Sequence, residues 1–177
     1  MEVRAPREVA LPAQGFAHLR RSLRDEVGQL AAVHGLHAAG YAVGEDLYGA
    51  FVRTLDTTPS QVPEEVLWER LGRFFQQRGW GVLGHRAVHP GVGVLESADW
   101  AESDRDTEGQ PSCAFSAGLL SSFLTQLAGG PVAVLEVGCA TRGDDRCVFA
   151  FGSETAIHEL YGHLLEGAGL DDALARL

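Results

Sequence analysis

The sequence predicts an α/β (α+β) fold in which N-terminal helices pack on a small antiparallel sheet. In the first half of the chain, apolar residues recur at steps of three and four, which is typical of amphipathic helices. In the second half, short apolar runs alternate with turns that contain glycine or proline, which is typical of strands. A chain of 177 residues with 45% hydrophobic composition is expected to form a single domain over residues 1–177, with a helical half at 12–78 and the sheet at 79–177.

Two long helices are predicted at the start of the chain. The first is expected from Gly15 to His34, with Gly35 ending or bending it. The second is expected from Leu36 to Leu55. It carries Gly40 and Gly44 four residues apart, and this spacing lets another helix or a ligand approach the helix backbone closely.

A third helix is predicted after Ser60 as a cap, with Pro63 in its first turn. The sequence pattern then changes from helical to strand-like. Two short apolar runs, at 80–84 and 92–95, are interpreted as the strands of a hairpin. The segment 85–91 is predicted to form the turn between them, because it contains proline and glycine.

The next helix has the clearest limits in the sequence. Ser112 is its predicted cap, and Gly129-Gly130-Pro131 stops it. The acidic stretch Glu102–Gln110 that precedes it has no apolar periodicity and is interpreted as a solvated loop. The remaining elements are two strands and a last helix, predicted at Val132–Val137, Val148–Phe151 and Ser153–Leu165.

The composition excludes several classes of function. A net charge of −10 repels a phosphate backbone, so nucleic acid is not expected as a partner. All 14 basic residues are arginine, which removes every chemistry that needs a lysine, such as a Schiff base or a P-loop. No signal peptide or membrane-spanning run is evident, so we expect a cytoplasmic protein with no membrane partner.

The three cysteines and one glutamate form the main candidate site. Cys113 follows the predicted cap, where the helix dipole is expected to lower the pKa of its thiol. Glu136, Cys139 and Cys147 can converge with it if the chain leaves extended geometry at Gly138. Three thiolates and a carboxylate suit a closed, structural zinc site. The spacing alone leaves a second interpretation open, in which the cysteines are buried as small hydrophobic residues.

A family resemblance adds to this interpretation. The segments that carry it are CAFSAGLL at 113–120, GPVAVLEVGC at 130–139 and RGDDRCVF at 142–149, with weaker agreement in AGYAVGE at 39–45 and GWG at 79–81. Together they resemble the signature of the 4-vinyl reductase domain family. The resemblance implies a fold like that of the TRAPP vesicle-tethering subunits, usually as a homodimer.

The resemblance also implies a function. In phenol-responsive activators of this family, a cysteine, a glutamate and two further cysteines hold a structural zinc beside an aromatic ligand. These positions correspond here to Cys113, Glu136, Cys139 and Cys147. The predicted ligand-binding residues are Trp80, Trp100, Val134 and Phe123. Those activators continue into an ATPase and a DNA-binding module, which this sequence lacks, so we expect that it does not activate transcription by itself.

Three functions are therefore weighed. The first is a zinc-stabilised domain that binds a small hydrophobic or aromatic molecule and passes its state to a downstream protein partner. The second is an accessory role in vinyl-group reduction during bacteriochlorophyll synthesis. No hydride-donor cofactor site or catalytic triad is evident, which disfavours an enzyme. The third is a dimeric interaction module without a ligand, and an enclosed apolar cavity would distinguish the first function from the third.

Overall fold

A four-stranded antiparallel sheet lies between two groups of helices. The computed structural model describes residues 8–104, 109 and 111–177. The helices are α1 Gln14–Val27, α2 Gln29–Val52, α3 Glu64–Gln76, α4 Ala114–Ala128, α5 Glu154–Leu165 and α6 Leu170–Leu174. The strands are β1 Gly84–His89, β2 Val92–Ser97, β3 Ala133–Gly138 and β4 Cys147–Gly152, with short 3-10 turns at Pro59–Gln61 and Ala140–Arg142. The predicted combination of N-terminal helices and a small antiparallel sheet is confirmed.

The sheet has the order β1-β2-β4-β3, so the two hairpins meet through β2 and β4. The first hairpin is present, but its predicted first strand was wrong by several residues. Gly81 has a φ of 109°, which takes the chain out of extended geometry before the strand begins. The Val82 amide donates to Asp99 Oδ1 at 2.8 Å instead of to a neighbouring strand. The turn is consequently short, at Pro90 and Gly91.

The break between the first two helices lies at Gly28, and the predicted break at Gly35 was wrong. Gly28 has a φ of 82° and a ψ of 162°, a conformation that side chains other than glycine rarely adopt. Gly35 lies within α2, and a Cβ at Gly35 would meet open space. A glycine in open space interrupts no packing, so the helix continues through it.

Helices α2 and α4 touch through their backbones. A Cβ at Gly40 would overlap the carbonyl oxygen of Phe115, and a Cβ at Gly118 would overlap the carbonyl oxygen of His37. A Cβ at Gly44 would likewise meet α4. Of the two possibilities left open by the glycine spacing, close approach by another helix is therefore the one observed.

The two faces of the sheet have separate cores. On one face, Phe149 packs with α2, α3 and α4, while on the other face Ala150 packs with Ile157 and Leu160 of α5. The last predicted helix is confirmed. Its Ile157 and Leu160 are buried, whereas Tyr161 is 45% exposed. In the part of the chain that the structure describes, no helix is both long enough and apolar enough to cross a bilayer.

Candidate metal centre

Four residues from separate elements meet at one corner of the molecule. Cys113 is the N-cap of α4, Glu136 lies in β3, Cys139 precedes the second 3-10 turn and Cys147 opens β4. Their potential ligand atoms all lie within 4.8 Å of one another. The three cysteines are completely buried. The structure therefore brings together the whole predicted set in an arrangement that could hold a metal ion.

A bulge in the second hairpin makes this convergence possible. The pairing of β3 with β4 shifts register between Glu136 and Gly138, as the opposite parity of Glu136 and Cys139 required. Gly143 then turns the chain back with a φ of 103°. The Cys139 carbonyl accepts hydrogen bonds from the amides of Arg142 (3.0 Å) and Asp144 (3.2 Å), which fixes the turn.

Asp144 supports the corner from outside. Its Oδ2 accepts a 2.7 Å hydrogen bond from the Cys139 amide and a 2.6 Å hydrogen bond from Arg142 Nη2. Asp144 is therefore a turn-forming residue, since its side chain bonds a nearby backbone amide. Because its bond reaches the backbone of Cys139, Asp144 also orients one of the four potential ligands.

The Glu136 carboxylate has one satisfied and one unsatisfied oxygen. Its Oε2 accepts a 3.1 Å hydrogen bond from the Cys113 amide. Its Oε1 is buried and has no hydrogen-bond partner among the described residues. A buried carboxylate oxygen without a partner is costly unless a cation or another donor meets it. The Sγ atoms of Cys113 and Cys147 are 3.6 Å apart, near the value of about 3.8 Å expected for two thiolates on a tetrahedral zinc.

Without a cation, the corner disfavours multiple negative charges. The pKa of Cys113 is raised because its thiol contacts Cys139 and Cys147 and is buried. Burial, with the nearby Cys139, raises the pKa of Glu136 to about 9. The pKa of Cys139 is lowered because it accepts hydrogen bonds from Cys113 and Cys147. The predicted lowering of the Cys113 pKa by the helix dipole was therefore wrong, because neighbouring thiols and burial outweigh the dipole.

Ser112 does not cap α4, and that prediction was also wrong. The helix begins one residue later than expected, with Cys113 at the cap position. The Ser112 hydroxyl instead shares a 2.6 Å hydrogen bond with Thr141 Oγ1 and lies 3.5 Å from Cys139 Sγ. Its amide also donates to Cys139 Sγ at 3.4 Å. Ser112 thereby joins the α4 side of the corner to the β3 side.

Glu102 accepts the hydrogen bonds of the free backbone amides at the start of α4, and the sequence did not reveal this role. It was assigned to the solvated loop Glu102–Gln110, but its side chain is buried; residues 105–108 and 110 of that segment lie outside the described residues. Its carboxylate accepts hydrogen bonds from the amides of Phe115 (3.0 Å) and Ser116 (2.7 Å) and from Ser116 Oγ (2.5 Å). Burial raises the pKa of Glu102 to about 7 although these hydrogen bonds lower it. No capping motif could reveal it, because it lies far from the helix start in sequence.

Hydrogen bonds from Arg20 connect the segment before α4 to α1. Arg20 Nη1 donates to the carbonyl oxygens of Glu102 and Ser112, at 3.4 Å each. The Trp100 indole donates to Ser116 Oγ at 2.7 Å. The first turn of α4 is therefore fixed by polar groups from three other parts of the chain.

Two of the predicted ligand-binding residues lie together in an aromatic cluster next to this helix. Trp80 and Trp100 have ring centroids 5.5 Å apart, and Trp80 stacks on Phe115 at 6.1 Å. The ring centroids of Phe16, in α1, and Trp80 are 5.4 Å apart. Both rings border an open cleft of about 580 Å³. Trp100 is only 1% exposed.

The other two predicted ligand-binding residues are placed apart from each other. Phe123 is completely buried in the helical core, 5.5 Å from Phe51 between ring centroids. Val134 lies in β3 opposite Phe151 of β4. Whether any of the four contacts a ligand stays a prediction.

Comparisons with known proteins agree with the resemblance seen in the sequence. An uncharacterized protein of Methanocaldococcus jannaschii is 35% identical over 79 residues, which are 45% of this chain and 42% of that protein. The chain thus spans about two fifths of the length of this curated relative.

Three solved structures share the fold. The phenol-responsive sensory domain of the transcription activator PoxR, crystallised with phenol, has a TM-score of 0.70, 18% identity and coverage of 88% of this chain and 83% of that chain. A vinyl-4-reductase family protein from Methanocaldococcus jannaschii has a TM-score of 0.55, 20% identity and coverage of 81% and 82%. A trafficking protein particle complex subunit 3 from Naegleria fowleri, covalently bound to palmitic acid, has a TM-score of 0.63, 14% identity and coverage of 79% and 91%.

The family model identifies the part of the chain that carries the candidate centre. Residues 103–153 match the model of the V4R domain, and this segment contains Cys113, Glu136, Cys139 and Cys147. The resemblance to the 4-vinyl reductase domain is thereby confirmed for residues 103–153.

Proposed function

We propose that this chain is a zinc-stabilised domain that binds a small hydrophobic or aromatic molecule and acts as a homodimer. The observation that carries the zinc part is the unsatisfied Oε1 of Glu136 amid three buried cysteines. Bound zinc would stabilise the deprotonated donors together and would supply folding energy instead of a catalytic step, since four protein ligands leave no open position.

Metal content and thiol reactivity test this part of the proposal. We expect mass spectrometry of untagged protein to find stoichiometric zinc. We further expect that the three thiols react only after chelation, because the ligated thiolates are buried. Metal-free protein with three freely reactive thiols would contradict the proposal and would return Cys113 to consideration as a redox or nucleophilic residue.

The ligand part rests on the aromatic cluster around Trp80. This half-buried ring borders the open cleft of about 580 Å³, which is within the size range of small-molecule sites. Two proteins of the same fold are described with apolar ligands, phenol in one and palmitic acid in the other. We infer that a hydrophobic or aromatic molecule enters this cleft and contacts Trp80, with Trp100 behind it. The roles predicted for Phe123 and Val134 would be to shape the apolar interior.

Phenol is a suitable first probe for this cleft. We expect saturable quenching of tryptophan fluorescence on titration with phenol, and loss of most of that change in Trp80→Leu. Trp68→Leu is the matched control, because Trp68 lies in α3 and does not line the Trp80 cleft. An equal response in the Trp80→Leu and wild-type proteins would contradict the assignment of the site.

The homodimer part rests on exposed apolar side chains of the first two helices. Leu19, Val27 and Leu30 recur at steps of eight and three along the first predicted helix, and they are 48%, 56% and 70% exposed, respectively. Contact with a second copy would remove this apolar surface from water. Sedimentation should therefore give a dimer for the wild-type chain and a monomer for Leu30→Glu, with Glu45→Gln as a surface control.

A dimeric interaction module without a ligand is the second candidate function. It is favoured by the packed aromatic interior. Trp100 and Phe123 are at most 1% exposed, and their ring centroids lie 5.7 to 6.0 Å from those of their neighbours Phe75 and Phe149. The phenol titration distinguishes the two functions. A dimer whose fluorescence does not respond to phenol or to longer apolar probes would favour the module.

A further inference from the structure

A second aromatic cluster lies far from the candidate metal centre, at the opposite end of β4. It comprises Trp68 of α3, His85 of β1 and Phe151 of β4, all half-buried. Trp68 and His85 are stacked, with ring centroids 4.1 Å apart and an interplanar angle of 16°. Phe151 lies 5.6 Å from Trp68 and 5.9 Å from His85. The three rings form one wall of a cleft of about 470 Å³, which is large enough for a small ligand.

Glycines keep this cleft open at its base. A Cβ at Gly93 would overlap the ring of Phe151, and a Cβ at Gly152 would lie 2.5 Å from the carbonyl oxygen of Gly91. Larger residues at these positions would displace the Phe151 ring or part the strands. The aromatic wall and the strand spacing beside it therefore depend on two glycines that line the cleft, Gly93 and Gly152.

One carboxylate faces the rings from the start of α3. Glu64 is the first residue of this helix, and its Oε1 accepts a 3.2 Å hydrogen bond from the Trp68 indole. A helix N-terminus stabilises a carboxylate in its charged form. The second acidic residue of the same turn, Glu65, lines an adjoining cleft that also contains Trp68 and His85.

Positive charge that would compete for Glu64 is scarce here. None of the described residues that line the cleft is an arginine, and the whole sequence has no lysine. Burial lowers the pKa of His85, and the nearby Glu64 opposes this shift, so the net effect disfavours a positive charge on the stacked imidazole. The second histidine, His89, accepts a 3.2 Å hydrogen bond from the Gly91 amide through Nδ1.

We propose that this cleft binds a small organic cation of the quaternary or tertiary amine class, with its alkyl groups against Trp68 and Phe151 and its charge near Glu64. Faces of aromatic rings attract a cation that has been stripped of water, and tryptophan does so most strongly. The net charge of −10 raises the local concentration of cations around the protein. This site goes beyond the proposed function, since it uses neither the candidate metal centre nor the Trp80 cleft.

The three tryptophans allow a direct test by NMR, because each gives its own indole N–H resonance. The protein is titrated with tetramethylammonium and, separately, with tert-butanol, which has a similar shape without the charge. We expect tetramethylammonium to shift the Trp68 resonance in a saturable way and to leave those of Trp80 and Trp100 in place. Trp68→Phe assigns the resonance. We expect tert-butanol to bind about tenfold more weakly. It carries no positive charge, so it makes neither a cation–π interaction with the rings nor an ionic interaction with the Glu64 carboxylate.

A charge-removing variant and its control complete the test. Glu64→Gln should weaken tetramethylammonium binding about tenfold, while Glu159→Gln, an exposed change on α5, should leave it unchanged. Glu64 is exposed, so we expect both variants to fold as the wild type does. Equal affinity of the two probes, unchanged affinity in Glu64→Gln, or no shift of the Trp68 resonance would each overturn the proposal. These experiments do not depend on zinc content or on the phenol response. A negative result here would therefore leave the proposed function untouched.

Discussion

The two ends of β4 carry two different kinds of surface on the same side of the sheet. Cys147 begins the strand and is completely buried, whereas Phe151, four residues further on, is half-buried and borders an open cleft. The two positions are about 13 Å apart along an extended chain and share their strand parity. The difference shows that the burial of a side chain on β4 depends on the elements that cover it and not on its position in the strand.

Polar groups define the closed end, and rings define the open end. At Cys147, the cap of α4 and the second 3-10 turn surround the strand and bring thiols and a carboxylate that need partners. At Phe151, the neighbours are the half-buried rings of Trp68 and His85 and the glycines of the open cleft. Among the described residues that line this cleft, the one carboxylate, Glu64, is exposed. A single change should therefore have a large effect at the closed end and a small one at the open end.

The largest effect is expected for Cys139→Ser. Loss of one thiolate should abolish stoichiometric zinc and should lower the free energy of unfolding by about 3 kcal/mol or more, because metal binding contributes to folding. Metal analysis and thermal unfolding would measure both quantities. Glu159→Gln serves as the surface control, and an unchanged melting temperature with unchanged zinc in Cys139→Ser would contradict the comparison.

The pH dependence of stability tests the buried Glu102 at the closed end. Its pKa is about 7 in the folded chain, above the ordinary 4.5, so the folded state holds this proton more tightly than the unfolded state does. The free energy of unfolding should therefore fall as pH rises from about 4.5 to about 7, by about 3 kcal/mol.

Replacement of Glu102 isolates this contribution. In Glu102→Gln the decrease over the same pH range should be smaller by that amount, as measured by denaturant unfolding at several pH values. Glu45→Gln, an exposed change on α2, should keep the wild-type profile. Parallel profiles for Glu102→Gln and wild type would show that Glu102 does not titrate in this range.

A smaller effect is expected for Asp144→Asn, which changes the support of Cys139 and leaves the four ligands intact. Loss of the charge that holds the Cys139 amide and Arg142 should weaken zinc affinity about tenfold. Competition with a chromogenic chelator would measure the affinity, with the exposed Asp46→Asn as control. Identical affinities for the two variants would show that Asp144 does not position the ligand.

The smallest effect is expected at the open end, for Phe151→Leu. This ring is only half-buried, so its replacement should cost about 1 kcal/mol and leave zinc content unchanged. Thermal unfolding and metal analysis of the same sample would show it. Loss of zinc in Phe151→Leu would break the comparison, because it would mean that the two ends of β4 are not independent.

Local patterns in the sequence predicted most elements and, together with the family resemblance, the residues of the candidate metal centre. The cysteines and Glu136 were identified because their types suit zinc and because Gly138 permits a bulge between them. Boundaries were less predictable. Both Gly28 and Gly35 could end a helix, and the positive φ that breaks the helix, 82°, lies at Gly28.

Features that join distant parts of the chain could not be predicted in this way. Glu102 stabilises a helix that begins twelve residues later, and Arg20 reaches carbonyl groups more than eighty residues away. The Trp68 and His85 stack likewise depends on how α3 lies against β1. Such contacts leave no periodic trace, because their spacing in sequence is arbitrary.

The glycine contact between α2 and α4 has a mechanical consequence. Gly40 abuts the carbonyl of Phe115, only two residues beyond Cys113, with no side chain in between to absorb movement. Any shift of the first turn of α4 would therefore act directly on the backbone in the middle of α2.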